Sequence, residues 1–331
     1  MYVFNALVST AFRMVSEFQF IDNIRSKYDL DKVGDDCAVL PKDADTDLLL
    51  TVDMLIEDID FQIDWTTPEY LGHKALAVSL SDIAAMGGDQ KWAMLSIGVP
   101  ESIWNTDFVD RFYAGWHALA DEYDVELVGG DVSRSPDKLV IDSIAGGEVA
   151  KGKAIMRSGA KPGDVIYVTG PLGGAAGGLK LLERGFEIID DLPDLTSNLL
   201  LKQLQPTPKV DIGKLLSKLG IVTTMLDISD GLSSDLGHIC RQSGVGARID
   251  AKRLPIEPEL SNYFHSDDNL EMALDGGEDF ELLFTVNEKN ISALDSLPVI
   301  RIGTINTNVG IIELIDNGNS VVLRPKGYRH F

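Results

Sequence analysis

Positive charge is scarce in this 331-residue chain: 29 Lys and Arg stand against 52 Asp and Glu, for a formal net charge of −23. Such a surface repels phosphate backbones and anionic membranes at long range, so neither nucleic acid nor a membrane is an expected partner. An anionic ligand such as a nucleotide would need divalent cations as intermediaries, because carboxylates do not hold phosphates directly. Cysteine is scarce too. Cys37 and Cys240 are the only two and show no CxxC or His-rich spacing, which excludes a disulfide framework or zinc finger and fits a reducing cytoplasm. No apolar run approaches the ~18 residues of a membrane-spanning helix. The leading "MYVFNALVSTAFRMV" lacks the charged segment and the small-residue cleavage site of a signal peptide. The five histidines form no HExxH, and no Ser/His/Asp triad can be proposed by spacing. "GPLGGAAGGLK" lacks the Gly-Lys-Ser/Thr of a P-loop, and "DADTDLLLTVDM" has Leu48 and Met54 where a calcium loop needs glycine and glutamate.

What is present is a globular composition, 44% hydrophobic with 31 glycines and 13 prolines, and enough length for two domains that each bury a core. Residues 1–15 read as an extension of no clear role. "SEFQFIDNIRSKY" then predicts a helix capped by Ser16, with Phe18, Ile21 and Ile24 at three-residue spacing. "LLLTVD" predicts a buried strand that exits at Asp53. "TPEYLGHKALAVSLSDIAAMGG" predicts a helix capped by Thr67, with Pro68 at its first position, Asp82 near its end and Gly87-Gly88 as its stop. A strand "KWAMLSIGVP", a helix capped by Thr106, a strand "VELVGGD" ending at Asp131, and a strand "KLVIDSIAGGEV" follow. No repeated βαβ unit emerges, so a mixed α+β fold is expected, and the small, basic, turn-forming run at 150–164 marks a boundary between domains 16–150 and 151–331. The second half starts again with "DVIYVTG", a Gly-rich helix start, a helix after Pro208, the strand "VTTMLDISD", the helix "GLSSDLGHICRQSG" and the strands "FELLFTV" and "VIRIGTI".

Acidic residues recur where strands or glycine turns end. "VGDDCAVL" sets Asp35 and Asp36 before an apolar run, and Asp36, Asp53, Asp82, Asp131, Asp227 and Asp230 form a set that could supply the oxygen ligands of Mg²⁺. Any one of them could equally be a turn or cap residue. In "VGGDVSRS", Gly129 and Gly130 would let the backbone approach a phosphate beside Asp131, or the stretch is simply a tight turn. Arg157 in "MRSGAKPGD" is either a phosphate-bridging guanidinium or a surface linker residue. "LDISDGLSSDLGH" gathers Asp227, Ser229 and Asp230 at a helix N-terminus, and "DGGEDFELLF" puts Gly276, Gly277, Glu278 and Asp279 directly before an apolar strand, which suggests that something binds there.

Taken together, "GDDCAVL", "TVDMLIEDIDF", "KALAVSLSDIAAMGG", "GGDVSRS", "RSGAKPGD", "DISDGLSSDLGHI" and "GGEDFELLF" resemble the thiamine-monophosphate kinases, in the superfamily that also holds aminoimidazole ribonucleotide synthetase and selenophosphate synthetase. The resemblance runs in order from about Ser16 to the C-terminal "PKGYRHF". It implies an N-terminal half whose sheet pairs with that of a second subunit, a C-terminal α/β half, and ATP in the cleft between them. It implies an Mg²⁺ shell of Asp36, Thr51, Val52, Asp53, Asp82, Asp131, Asp227 and Asp230, with Asp53, Asp82, Asp131 and Asp230 catalytic. ATP would meet Gly130, Asp131, Arg157, Ser229 and Tyr113, and thiamine monophosphate would meet Asp60, Glu278 and Tyr328. The chain departs from the family at Asp60, where a histidine is frequent, and at Val52, where a threonine is. The expected activity is ATP-dependent phosphorylation of thiamine monophosphate in a homodimer. A synthetase of the same superfamily and a non-catalytic acidic metal-binding protein are the alternatives.

Overall fold

The computed structural model describes residues 17–188 and 194–328. Residues 1–16, and with them the proposed Ser16 cap, lie outside the described residues, as does the end of the "PKGYRHF" motif.

The first half contains helix α1 (Glu17–Tyr28), strands β1 (Ala38–Pro41) and β2 (Thr46–Ile56), helix α2 (Pro68–Ala85), strand β3 (Asp89–Pro100), helices α3 (Glu101–Trp104) and α4 (Phe108–Glu122), and strands β4 (Glu126–Ser135) and β5 (Val140–Ala150). Its five strands form one sheet in the order β1-β2-β5-β3-β4, antiparallel except for the β3–β4 pair. The second half contains β6 (Val165–Val168), α5 (Gly174–Glu183), α6 (Asp194–Leu204), α7 (Val210–Leu219), β7 (Val222–Asp227), α8 (Leu232–Ser243), β8 (Gly246–Asp250), α9 (Ser266–Asp275), β9 (Leu282–Val286), β10 (Ile300–Asn306), β11 (Ile312–Asp316) and β12 (Asn319–Leu323). Its seven-stranded sheet has the order β12-β11-β8-β10-β6-β9-β7, with only β8 and β11 parallel. Both halves are therefore mixed α+β, as expected. Among the described residues no helix is long and apolar enough to cross a membrane.

Helix α2 organises the molecule. Thr67 Oγ1 accepts the Tyr70 N–H at 3.2 Å and Pro68 occupies the first turn, so the helix starts where the sequence predicts. From Leu71 to Ala85 its residues are buried almost all round, against α4, α7, β2, β5 and β7. An apolar helix of this kind belongs inside a protein, and its few polar residues must find partners there. Its crossing with α4 is tight: a Cβ on Gly72 would lie 1.9 Å from the Phe112 carbonyl oxygen, and one on Gly115 the same distance from that of Glu69.

Three expectations are corrected. Asp53 does not sit at a strand exit, because β2 continues to Ile56, and β4 likewise runs through Gly129, Gly130 and Asp131 to Ser135. The cores of the two halves are not wholly separate: each half has a cluster of its own, around Leu49 and Ile83 in the first and Ile166 and Ile249 in the second, but a further one is shared. Leu76, Leu80, Trp116 and Ile141 of the first share one cluster with Val165, Tyr167, Met225 and Phe284 of the second, since α2 presents apolar side chains to both. The cap of α4 is also displaced, with Asp107 at the N-cap and Thr106 Oγ1 accepting the Phe108 N–H.

Candidate active site

Alternation along β2 sends Thr51 and Leu55 inward and leaves Val52 and Met54 exposed. The inward edge meets the C-terminal half of α2, where Ser79, Ser81 and Asp82 interrupt the apolar run. Ser79 Oγ donates to Asp53 Oδ2 at 2.7 Å, Thr51 Oγ1 donates to Asp82 Oδ2, and Ser81 Oγ donates to Asp227 Oδ2 at 2.6 Å, where β7 ends. Asp36, in the turn before β1, completes the group. One carboxylate oxygen from each of Asp36, Asp82 and Asp227 lies within 4.8 Å of the others.

Arg157, from the segment between β5 and β6, faces this cluster. It donates to Asp36 Oδ1 through Nη2 at 2.5 Å and Nε at 3.1 Å, while its backbone N–H donates to Asp35 Oδ1 at 2.7 Å. One guanidinium does not balance this many carboxylates. Burial, reinforced by Asp53, Asp227 and Asp36, holds the Asp82 carboxyl well above its usual range. Burial also pushes Asp53 up to about 6, with Asp142 and Asp36 adding, and Asp227 up to about 7, with Asp36 adding. Asp36 Oδ2 is buried with no hydrogen-bond partner. Clustered, desolvated carboxylates with an orphaned oxygen are the donor set that hard divalent cations take.

A cavity of about 530 Å³ adjoins the cluster at Asp53. Phe61, Trp65, Leu71, Val78, Leu182 and Phe280 give it apolar walls, and Asp60, Ser229, Asp230, Glu278 and Tyr328 line it as well. Glu278 holds a left-handed backbone (φ 64°), fixed by its N–H to the Ser229 carbonyl at 2.8 Å, and its carboxylate accepts from Lys74 Nζ at 2.8 Å. Tyr328 is about half exposed at the rim.

The family models for "AIR synthase related protein" match this chain with their N-terminal domain over residues 34–149 and their C-terminal domain over 161–312. Thiamine-monophosphate kinases of Salmonella typhimurium (strain LT2) and Escherichia coli (strain K12) are 38% and 39% identical to it, over 95% of this chain and 96% of each relative. The chain belongs to the thiamine-monophosphate kinase family. Among solved structures, AaThiL complexed with AMPPCP and TMP is 33% identical, covers 98% of this chain and 100% of its own, and superposes with a TM-score of 0.86. Hydrogenase maturation proteins HypE, at 16–18% identity, share the fold.

The residues carried over from the thiamine-monophosphate kinases divide into two groups. Asp36, Thr51, Asp53, Asp82, Arg157 and Asp227 meet at the cluster, while Asp60, Ser229, Asp230, Glu278 and Tyr328 line the adjoining cavity. The others are not brought there. The Val52 side chain is 62% exposed on the outer side of β2 and carries no ligand atom, so it does not join the cluster. Gly130 and Asp131 lie exposed on the edge strand β4, and Tyr113 packs beside Phe112 in the core. Asp279 has a structural use that the sequence hid. Its carboxylate accepts the Gly173 and Ala175 N–H groups at 2.6 and 3.2 Å, occupying the N-terminus of the glycine-rich α5.

Sequence reasoning missed Lys74, Ser79 and Ser81, whose signal was a polar residue inside an apolar helix. It also missed Asp235 and His238, one turn apart on α8, whose ligand atoms lie within 4.8 Å of each other and of Asp230. Burial, with Arg157 and Arg241 nearby, lowers His238 to about 3, so the ring is neutral; its Nδ1 takes a hydrogen bond from Arg241 Nη2 at 2.9 Å.

Proposed function

We propose that the chain transfers the γ-phosphoryl group of ATP directly, in line, onto the phosphate of thiamine monophosphate, giving thiamine diphosphate. The observation that carries this reading is the nearness of two unlike sites: a buried cluster of the Asp36, Asp82 and Asp227 carboxylates within 4.8 Å, and an apolar-walled cavity of about 530 Å³ that reaches Asp53 beside it. Structurally related AaThiL is complexed with AMPPCP and TMP, a pairing that fits one nucleotide and one smaller phosphorylated ligand side by side.

The acceptor oxygen belongs to a phosphate already ionised near neutral pH, so the reaction asks for alignment and charge neutralisation more than for a strong base. Asp36, Asp53, Asp82 and Asp227, with Thr51, would hold Mg²⁺ at the cluster, and Asp230 would reach it from the cavity side. Bound there, Mg²⁺ neutralises phosphate charge and lets two anions approach. The chain's own contribution is positional. Ser79, Thr51 and Ser81 orient three carboxylates by donated hydrogen bonds, and Arg157 holds Asp36 while remaining able to face the nucleotide. Apolar walls around Phe61 and Trp65 exclude water from the heterocycle, and Glu278 and Tyr328 bind it.

We assign residues 16–150 to metal, nucleotide and dimer contacts and 151–331 to completing the site, in a cytoplasmic homodimer. Val52, Met54, Val128 and Val132 of the first sheet are each at least half exposed, an apolar surface that a second copy would cover. Gly130 and Asp131 lie on the same exposed strand, so their contacts would form on assembly. Free, buried Cys37 and Cys240 accord with a reducing compartment.

ADP release measured with ATP and Mg²⁺ on thiamine monophosphate, free thiamine and aminoimidazole ribonucleotide precursors tests the reading. Turnover with thiamine monophosphate alone is expected. Turnover with an aminoimidazole precursor instead, or with none of the three, would overturn it.

A further inference from the structure

The cavity floor contains a buried cation that the phosphoryl transfer does not use. Lys74, on α2, is 3% exposed and Gln203, on α6, is 6% exposed; both donate to the same oxygen, Oε2 of Glu278. Three chain segments far apart in sequence thus converge on one carboxylate. A buried ammonium is costly unless paired, so Lys74 pins Glu278 in place, and the planar amide of Gln203 fixes the rotation of the carboxylate. Oε1 accepts nothing from the described residues, yet Glu278 lines the cavity.

We infer that Lys74 and Gln203 are positioning residues that saturate Oε2 and turn Oε1 into the cavity, where it accepts an N–H from the amino-bearing heterocycle of the substrate. This rests on the proposed function and deepens it. A carboxylate with one oxygen occupied and the other free selects a ligand that brings a donor. A ligand presenting an oxo group at the same place meets a lone pair with a lone pair and leaves a desolvated acceptor unpaired, which sites of this kind reject by roughly 100-fold or more.

The test compares kcat/KM for thiamine monophosphate and for oxythiamine monophosphate, in which the pyrimidine amino group is replaced by oxygen. The wild-type protein is expected to favour the amine by roughly 100-fold. Gln203→Leu keeps the side-chain bulk and every charge, and is expected to cut that preference at least tenfold, mainly through KM for the amine, with KM for ATP unchanged. Lys74→Met should do the same, and neither change should matter once Glu278→Gln is present, because both act through that carboxylate. Melting temperatures confirm that the compared variants are folded. An unchanged preference in Gln203→Leu, or effects that simply multiply in the Glu278→Gln background, overturns the positioning role while leaving the kinase reading intact. Absence of wild-type turnover on thiamine monophosphate overturns both.

Discussion

Replacing Asp82 by Asn should stabilise the metal-free protein while abolishing its activity. At 4.8 Å and an effective dielectric constant of 20, two unit charges repel by about 3.5 kcal/mol. Part of that is already avoided, because burial and the neighbouring carboxylates favour the protonated form of Asp82. An asparagine oxygen can still accept from Thr51, so the net gain in chelator at pH 8 is roughly 1–3 kcal/mol, or about 2–10 °C in melting temperature. The balance reverses with metal. Mg²⁺ at a hundred times its dissociation constant adds about 2.7 kcal/mol to the wild-type protein and little to a variant that has lost a ligand. Melting is followed by differential scanning fluorimetry in chelator and in Mg²⁺, and turnover by ADP release. An Asp82→Asn variant that melts below wild type in chelator, or that keeps more than a tenth of the wild-type rate at saturating Mg²⁺, would refute the account of the cluster as a strained metal seat.

Gly72→Ala forces a Cβ against the Phe112 carbonyl at the α2–α4 crossing and should destabilise the fold by about 1–3 kcal/mol, read from chemical denaturation; a neutral result would mean the crossing can open freely. Burial raises Asp279 to about 7 despite its bonds to Gly173 and Ala175, so the folded state holds a proton that the unfolded chain releases near pH 4. Its contribution to stability is full at low pH and lost as pH rises through 7; Asp279→Asn should therefore show a flatter melting temperature between pH 5 and pH 8, and a parallel pH profile would contradict this. Val52→Glu charges the exposed side of the first sheet and should shift sedimentation towards the monomer while retaining the Mg²⁺-induced gain in melting temperature. A variant that stays dimeric would place the interface elsewhere.

Local signals carried much of the fold. The Thr67-Pro68 start of α2 and the strands around Leu49, Ile141 and Val165 could be read because capping and hydrophobic run length act within a few residues. Strand ends could not be read the same way: Asp53 and Asp131 look like terminators by composition, yet ladder pairing with β5 and β3 carries both strands past them. Asp279 misled for a related reason, since a charge before a strand suggests a ligand until the amides of α5, more than a hundred residues earlier, are seen to occupy it.

By itself the sequence determined the chemistry available: an excess of carboxylate, no thiol or histidine motif, glycine turns beside aspartates, and the family to which these belong. Only the tertiary structure decided which aspartates come together. Burial of α2 between the two halves draws Asp36, Asp82 and Asp227 into one desolvated group and leaves Asp131 and Val52 outside it. It also decided that Lys74 and Gln203 share a single oxygen of Glu278. The physical reason is that spacing along a chain constrains neighbours within a turn or a strand, whereas convergence of distant residues depends on which surfaces bury one another.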